Sequence, residues 1–73
     1  MRVGIIGYGA VGKTRHHSIL KNTSYSVTSI SENNPKVREG IPEIIEVFED
    51  YKSLIDNANV DIVFISLPNK FAA

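Results

Sequence analysis

Val3-Gly4-Ile5-Ile6-Gly7-Tyr8-Gly9-Ala10-Val11-Gly12 contains the change of periodicity on which the fold turns. Val3 to Ile6 is a short, β-branched apolar run broken by Gly4, and it stops at Gly7-Tyr8-Gly9, the pattern of a buried strand meeting a tight turn. From Ala10 to Leu20 the spacing becomes helical. Val11, Ile19 and Leu20 fall roughly on one side, leaving Lys13, Arg15 and Lys21 to water, and the helix is expected to end near Asn22.

Working outward, Tyr25, Val27 and Ile30 mark a second strand that ends at Ser31-Glu32, before the polar breaker Asn33-Asn34-Pro35. Lys36 to Gly40 allows one helical turn, which Gly40 and Pro42 prevent from growing. Ile44 to Phe48 reads as a short edge strand. Glu49-Asp50 supplies a cap and favourable charge for a helix from Tyr51 to about Asn57, with Leu54 and Ile55 as its anchors. Val60, Ile62, Val63, Phe64 and Ile65 form the most apolar run, nearly continuous, as a parallel strand covered on both faces requires. The alternation of strands and helices predicts an α/β protein with a parallel sheet and crossover helices; with the glycine loop after the first strand read as a dinucleotide turn, the expectation is a partial Rossmann fold of about four strands in the order 3-2-1-4.

Seventy-three residues is about half the usual length of a self-sufficient domain, so more than one domain is excluded and a piece of a larger one is expected. Eight Lys and Arg balance eight Asp and Glu, so the composition writes in no polycationic face for nucleic acid. The absence of Cys removes disulfides, zinc-thiolate sites and thiol nucleophiles, and fits a reducing compartment. No apolar run approaches the roughly 18 residues of a membrane span, and no signal peptide is read, so a cytoplasmic protein is expected.

Gly7-Tyr8-Gly9-Ala10-Val11-Gly12 matches the dinucleotide fingerprint directly after a strand and at the start of a helix. In that pattern Gly7 permits the sharp turn, Gly9 lets the main chain approach a pyrophosphate, and Gly12 lets the helix pack closely on the sheet. Amides at the helix start then face the phosphate, with the helix dipole adding to the attraction. Glu32 lies twenty residues after Gly12, where a carboxylate can accept hydrogen bonds from ribose hydroxyls.

A rival pattern occupies the same stretch. Gly7-x-x-x-x-Gly12-Lys13-Thr14 is also the phosphate-loop signature of nucleoside triphosphatases. That reading needs an Asp at the end of another apolar strand to hold magnesium, and the run from Val60 to Ile65 ends in Ser66. It also leaves Gly9 and Glu32 unexplained. The dinucleotide reading is preferred, with the phosphate loop and a purely structural glycine turn as alternatives.

These residues resemble the amino-terminal part of the glucose-fructose oxidoreductase, inositol dehydrogenase and MocA family (Gfo/Idh/MocA) of NAD(P)-dependent oxidoreductases. The match is carried by Val3 to Thr14, by His16, by Asp50-Tyr51-Lys52-Ser53-Leu54-Ile55, and by Val60-Asp61-Ile62-Val63-Phe64-Ile65-Ser66-Leu67-Pro68-Asn69. The resemblance implies that Gly7, Tyr8, Gly9, Ala10, Val11 and Gly12 contact pyrophosphate and Glu32 the adenosine ribose. It places Ser66, Leu67, Pro68 and Asn69 on the cofactor further along. The chain departs from the family after Asn69, where Lys70-Phe71-Ala72-Ala73 lacks the usual His. The family's Glu-Lys-Pro lysine and acid-base group would fall beyond position 73, so no catalytic residue is assigned and no turnover is expected from this chain. NAD is favoured over NADP, because the Glu32 carboxylate would repel a 2′-phosphate; Ser31 leaves room for NADP.

The implied function is NAD(P) binding within an oxidoreductase acting on a sugar or polyol. The alternative is a non-catalytic module that self-associates through the open edge of its last strand, so a homo-oligomer or a missing C-terminal domain is expected. His16 and His17 point about 100° apart on a helix and are read as packing rather than as a metal pair. Lys13 and Arg15 are read as solvent-facing, and Glu43, Glu46, Glu49 and Asp50 as a solvated face and cap.

Overall fold

The computed structural model describes residues 1–66. The change of periodicity after Ile6 is a change of element: β1 (Arg2–Ile6) runs through Gly7, Tyr8 and Gly9 into α1 (Ala10–Leu20). There follow β2 (Ser26–Ser31), α2 (Pro35–Arg38), β3 (Glu46–Phe48), α3 (Tyr51–Asn57) and β4 (Ile62–Ile65). The strands pair in parallel in the order β3-β2-β1-β4, the order the sequence predicts. The expected stretch Leu67 to Asn69 lies outside the described residues.

Alternation along β1 divides the sheet into two faces. Val3 and Ile5 join Tyr8, Ile19, Ile30, Ile41 and Ile45 in one apolar cluster, with Phe64 packed against it. Gly4 points the other way, where an added Cβ would lie 3.2 Å from Leu54 of α3. Leu54 is fully buried there, and Asp50 caps its helix by accepting from the Ser53 amide at 2.7 Å. That bond holds the Asp50 carboxyl below its ordinary value.

β2 contributes to both faces through a bulge. Val3 pairs with Val27 but Gly4 pairs with Ser29, which leaves Thr28 as an extra residue. The extra residue reverses the parity of the strand. Tyr25, Val27 and Ile30 therefore all pack with the same apolar cluster, although strict alternation would set Ile30 against the other two. Ser29 and Ser31, paired with Gly4 and Ile6, are buried on the α3 side.

The rotation of α1 differs from the expected one. Its buried residues are Gly12, His16 and Ile19, while Val11 and Leu20 are 57% and 58% exposed. The cause is the contact at Gly12: a Cβ built there would lie 2.1 Å from the Gly7 carbonyl oxygen. This closest approach fixes which side of the helix faces the sheet, and positions one residue away rotate out by about 100°. The phenol of buried Tyr8 and the imidazole of buried His16 meet on the inward side, with Oη 2.7 Å from Nδ1. Burial pushes the phenol up. It pulls the imidazole down, with the neighbouring His17 charge acting in the same direction.

The remaining differences concern the ends of elements. β3 begins at Glu46, because Ile44 is 93% exposed while Ile45 turns into the core. On α3, Leu54 alone is buried and Ile55 is 56% exposed. β4 is an edge among the described strands, and its side chains are less covered than a doubly buried strand requires, with Ile65 68% exposed.

Two outcomes are expected. Gly12→Ala must push α1 off the Gly7 carbonyl, lowering unfolding stability by about 1–3 kcal/mol or more, read from urea midpoints. His16 has a folded pKa below its unfolded value of about 6.5, so its contribution is complete above that value and is lost as pH falls below it toward the folded pKa. Urea midpoints should therefore fall between pH 7.5 and 5, and the fall should be shallower in His16→Leu.

Candidate functional site

Three of the predicted site residues follow the carboxyl ends of neighbouring strands. Gly7 follows β1, Glu32 follows β2 and Ser66 follows β4. Main-chain bonds lock these ends together: the Gly7 amide donates to the Ser31 carbonyl at 2.9 Å, and the Ser66 amide to the Ile6 carbonyl at 2.8 Å. The Glu32 amide donates to the Phe48 carbonyl at 2.9 Å, which extends the β2–β3 pairing by one residue.

The three glycines of the loop have different physical reasons for being glycine. Gly7 has φ 89°, a left-handed conformation that other residues rarely adopt. Gly12 has no room for a Cβ. Gly9 has neither constraint: its φ is −72°, and a Cβ there would meet no heavy atom within 4 Å among the described residues. Packing therefore gives no reason for glycine at position 9, whereas approach of a ligand to the main chain does.

Gly9 is also the N-cap of α1, and no side chain among the described residues caps that end. The amides of Ala10, Val11 and Gly12 lie in the first turn, where no carbonyl four residues back belongs to the helix. They and the positive end of the helix dipole form a site suited to an anion. Ser66 adds a hydroxyl: it is buried, its Oγ has no hydrogen-bond partner among the described residues, and it lies beside Gly12, whose added Cβ would be 3.8 Å from Ser66 Cβ.

Glu32 turns back toward the loop. Its Oε1 accepts from the Tyr8 amide at 2.7 Å and its Oε2 from the Asn34 amide at 3.0 Å. Each carboxylate oxygen can accept a further hydrogen bond, so ribose hydroxyls remain chemically acceptable partners. The loop and the carboxylate are thus brought together, as the sequence pattern requires. Tyr8 enters this arrangement through its amide, which is committed to Glu32, while its ring lies in the core.

Sequence reasoning missed two supports. Arg38 Nη1 donates to the Glu32 carbonyl at 2.8 Å, fixing the end of β2 from α2. Asn34 caps α2 by accepting from the Lys36 amide at 3.0 Å, and its own amide meets Glu32. The Asn-Pro pair signals a cap, but no local pattern signals the reach of Arg38. Of the two residues a phosphate loop would use, Thr14 is bound to its own helix. Thr14 Oγ1 bonds to the Ala10 carbonyl at 3.0 Å, and Lys13 is exposed. Arg15 lies over the Phe64 ring, 5.3 Å from its centroid.

Comparison with known proteins agrees with this fold. A crystal structure of an NAD-binding protein from Listeria innocua superposes with a TM-score of 0.80 at 22% identity, over 92% of this chain and 20% of that one, and supports the fold. Scyllo-inositol dehydrogenase from Lactobacillus casei, solved with bound NAD(H) and scyllo-inositol, gives a TM-score of 0.80 at 28% identity, over 97% of this chain and 22% of that one. An uncharacterized oxidoreductase of Escherichia coli (strain K12), YdgJ, is 34% identical over 71 residues, or 94% of this chain. The chain spans 20% of the length of that curated relative. The model of the GFO_IDH_MocA oxidoreductase family, whose members share an NAD-binding Rossmann fold, matches residues 1–73, and the chain belongs to that family.

Proposed function

We propose that residues 1–73 form the N-terminal part of a dinucleotide-binding domain. In this reading the loop from Gly7 to Gly12 holds the pyrophosphate of NAD, and Glu32 accepts hydrogen bonds from the adenosine ribose. The observation that carries it is Gly9, a glycine for which neither conformation nor packing gives a reason, at the uncapped start of an 11-residue helix. Ala10, Val11 and Gly12 present main-chain amides, Gly7 and Tyr8 shape the turn, and Ser66 offers its buried hydroxyl beside them. Leu67, Pro68 and Asn69 would continue the contact toward the nicotinamide half. The Glu32 carboxylate favours NAD over NADP by repelling a 2′-phosphate.

When bound, the nicotinamide supplies hydride transfer. The chain's own residues bind and orient the cofactor, and no acid-base or substrate-binding group is assigned to them. The structural likeness to scyllo-inositol dehydrogenase supports a sugar or polyol as the substrate class of the oxidoreductase. The substrate domain then belongs to sequence outside these residues. A cytoplasmic location accords with the Cys-free composition; among the described residues no helix is long and apolar enough to cross a membrane.

One observation favours a second reading, a non-catalytic module that self-associates. β4 is an edge strand among the described residues, and Val63 and Ile65 on it are exposed apolar residues. The two readings make separate predictions. Calorimetric titration should show NAD binding more tightly than NADP, and no binding of ATP that depends on magnesium. Gly9→Ala should keep the circular dichroism and urea midpoint of the parent chain while weakening NAD, since its Cβ enters only the ligand's space. Glu32→Gln should cost about tenfold in NAD affinity and narrow the preference over NADP. In the second reading, light scattering behind size exclusion should show a mass that rises with concentration and falls on Ile65→Lys. A clean monomer at high concentration removes that reading and leaves the first intact.

A further inference from the structure

Tyr8 stands between two glycines, so the main chain on either side of it is the most permissive in the loop. Its position is nevertheless fixed at two atoms. The amide donates to Glu32 Oε1 at 2.7 Å, and the phenolic oxygen lies 2.7 Å from His16 Nδ1 on α1. The rings meet edge-on, with centroids 5.7 Å apart and planes at 60°. His16 is one helical turn beyond Gly12, the residue pressed against the Gly7 carbonyl. The chain from Gly7 to His16 is thereby closed on itself at two points, the Gly7–Gly12 contact and a buried polar pair whose Tyr8 member belongs to the apolar cluster.

We propose that Tyr8 and His16 are a positioning pair for the loop: the phenol, donating to His16 Nδ1, holds the Tyr8 amide where Glu32 accepts it and so orients the ribose-binding carboxylate. The inference rests on the role of Glu32 proposed above. Among the described residues His16 Nδ1 is the phenol's one recorded hydrogen-bond partner, so in this proposal the O–H donates to it and the imidazole carries its proton on Nε2. Packing alone does not call for this pair. Phe at position 8 and Leu at position 16 would supply comparable apolar contact without bringing two polar groups into the core. What the polar pair adds is direction, because a hydrogen bond sets the ring's height and rotation where apolar contact tolerates several. Rotation of the Gly7–Tyr8 peptide would carry the amide away from Glu32, and the anchored ring opposes that rotation. Tyr8 acts on the ligand through Glu32 and is not itself a catalytic residue.

The test separates positioning from stability. Tyr8→Phe leaves the His16 nitrogen buried without its partner and should lower the urea midpoint. The double variant Tyr8→Phe/His16→Leu removes both polar groups and should recover it. If the pair positions the carboxylate, NAD affinity stays down about tenfold in the double variant although stability has returned. In a Glu32→Gln background the same double change should cost nothing further. If NAD affinity recovers with stability, the pair is structural and the proposal is overturned. A second readout needs no ligand: in the unliganded chain, exchange of the Tyr8 amide with solvent should be at least tenfold faster in the double variant, and nitrogen NMR should show His16 as the Nε2–H tautomer. Unchanged exchange, or a protonated Nδ1 in the neutral ring, overturns the positioning claim. Failure of the parent chain to bind NAD would overturn the proposed function, and the exchange measurement would still decide this one.

Discussion

The contact between Gly12 and the Gly7 carbonyl sets the rest of the structure. With 2.1 Å between that oxygen and any Cβ added at position 12, α1 lies as close to the end of β1 as a helix backbone can, and only one side of it can face the sheet. His16 and Ile19 follow Gly12 on that side at helical spacing and become core residues; Val11 and Leu20 do not. The same contact aims the uncapped start of α1 across the carboxyl ends of β1 and β4, beside Ser66. A single steric constraint thus decides both which residues are buried and where the helix dipole points.

That constraint also explains what could be read from the sequence. The glycine spacing, the succession of strands and helices and the helix capped by Asp50 were legible because each depends on local chemistry: a turn needing positive φ, a change of periodicity, a carboxylate three residues before a bare amide. The rotation of α1 was not legible from hydrophobicity, because Val11 and Leu20 outweigh His16 on any apolar scale. Gly12 carried the correct signal in its size. The bulge at Thr28 was hidden for a related reason, since an extra residue in a parallel strand reverses the face of everything after it without any change of composition. Ile55 and Ile65 were overread as buried because an apolar residue is evidence for a core only where the fold supplies a neighbour.

At the candidate site the pattern identified the loop and the carboxylate but not how the two are joined. The distance from Gly12 to Glu32 says that both reach one end of the sheet. It does not say that Glu32 accepts from the Tyr8 and Asn34 amides, or that Arg38 holds its carbonyl. Those bonds depend on tertiary placement, and the residues that make them, an aromatic between glycines and a basic residue in a four-residue helix, have no spacing rule of their own.

Joining the loop to the carboxylate has a consequence for how such a site discriminates. A free carboxylate on a mobile side chain could swing aside to admit a 2′-phosphate, and the repulsion between them would then be spread through solvent. Glu32 is held at both oxygens by main-chain amides, so turning away would leave the Tyr8 and Asn34 amides without their acceptor. Repulsion that cannot be relieved by movement is a stronger selector than charge alone. The amides that hold the carboxylate also belong to the segments flanking it, one in the glycine loop and one at the start of α2. On the proposed reading, selection of the sugar and shaping of the pyrophosphate turn are therefore two effects of one set of hydrogen bonds.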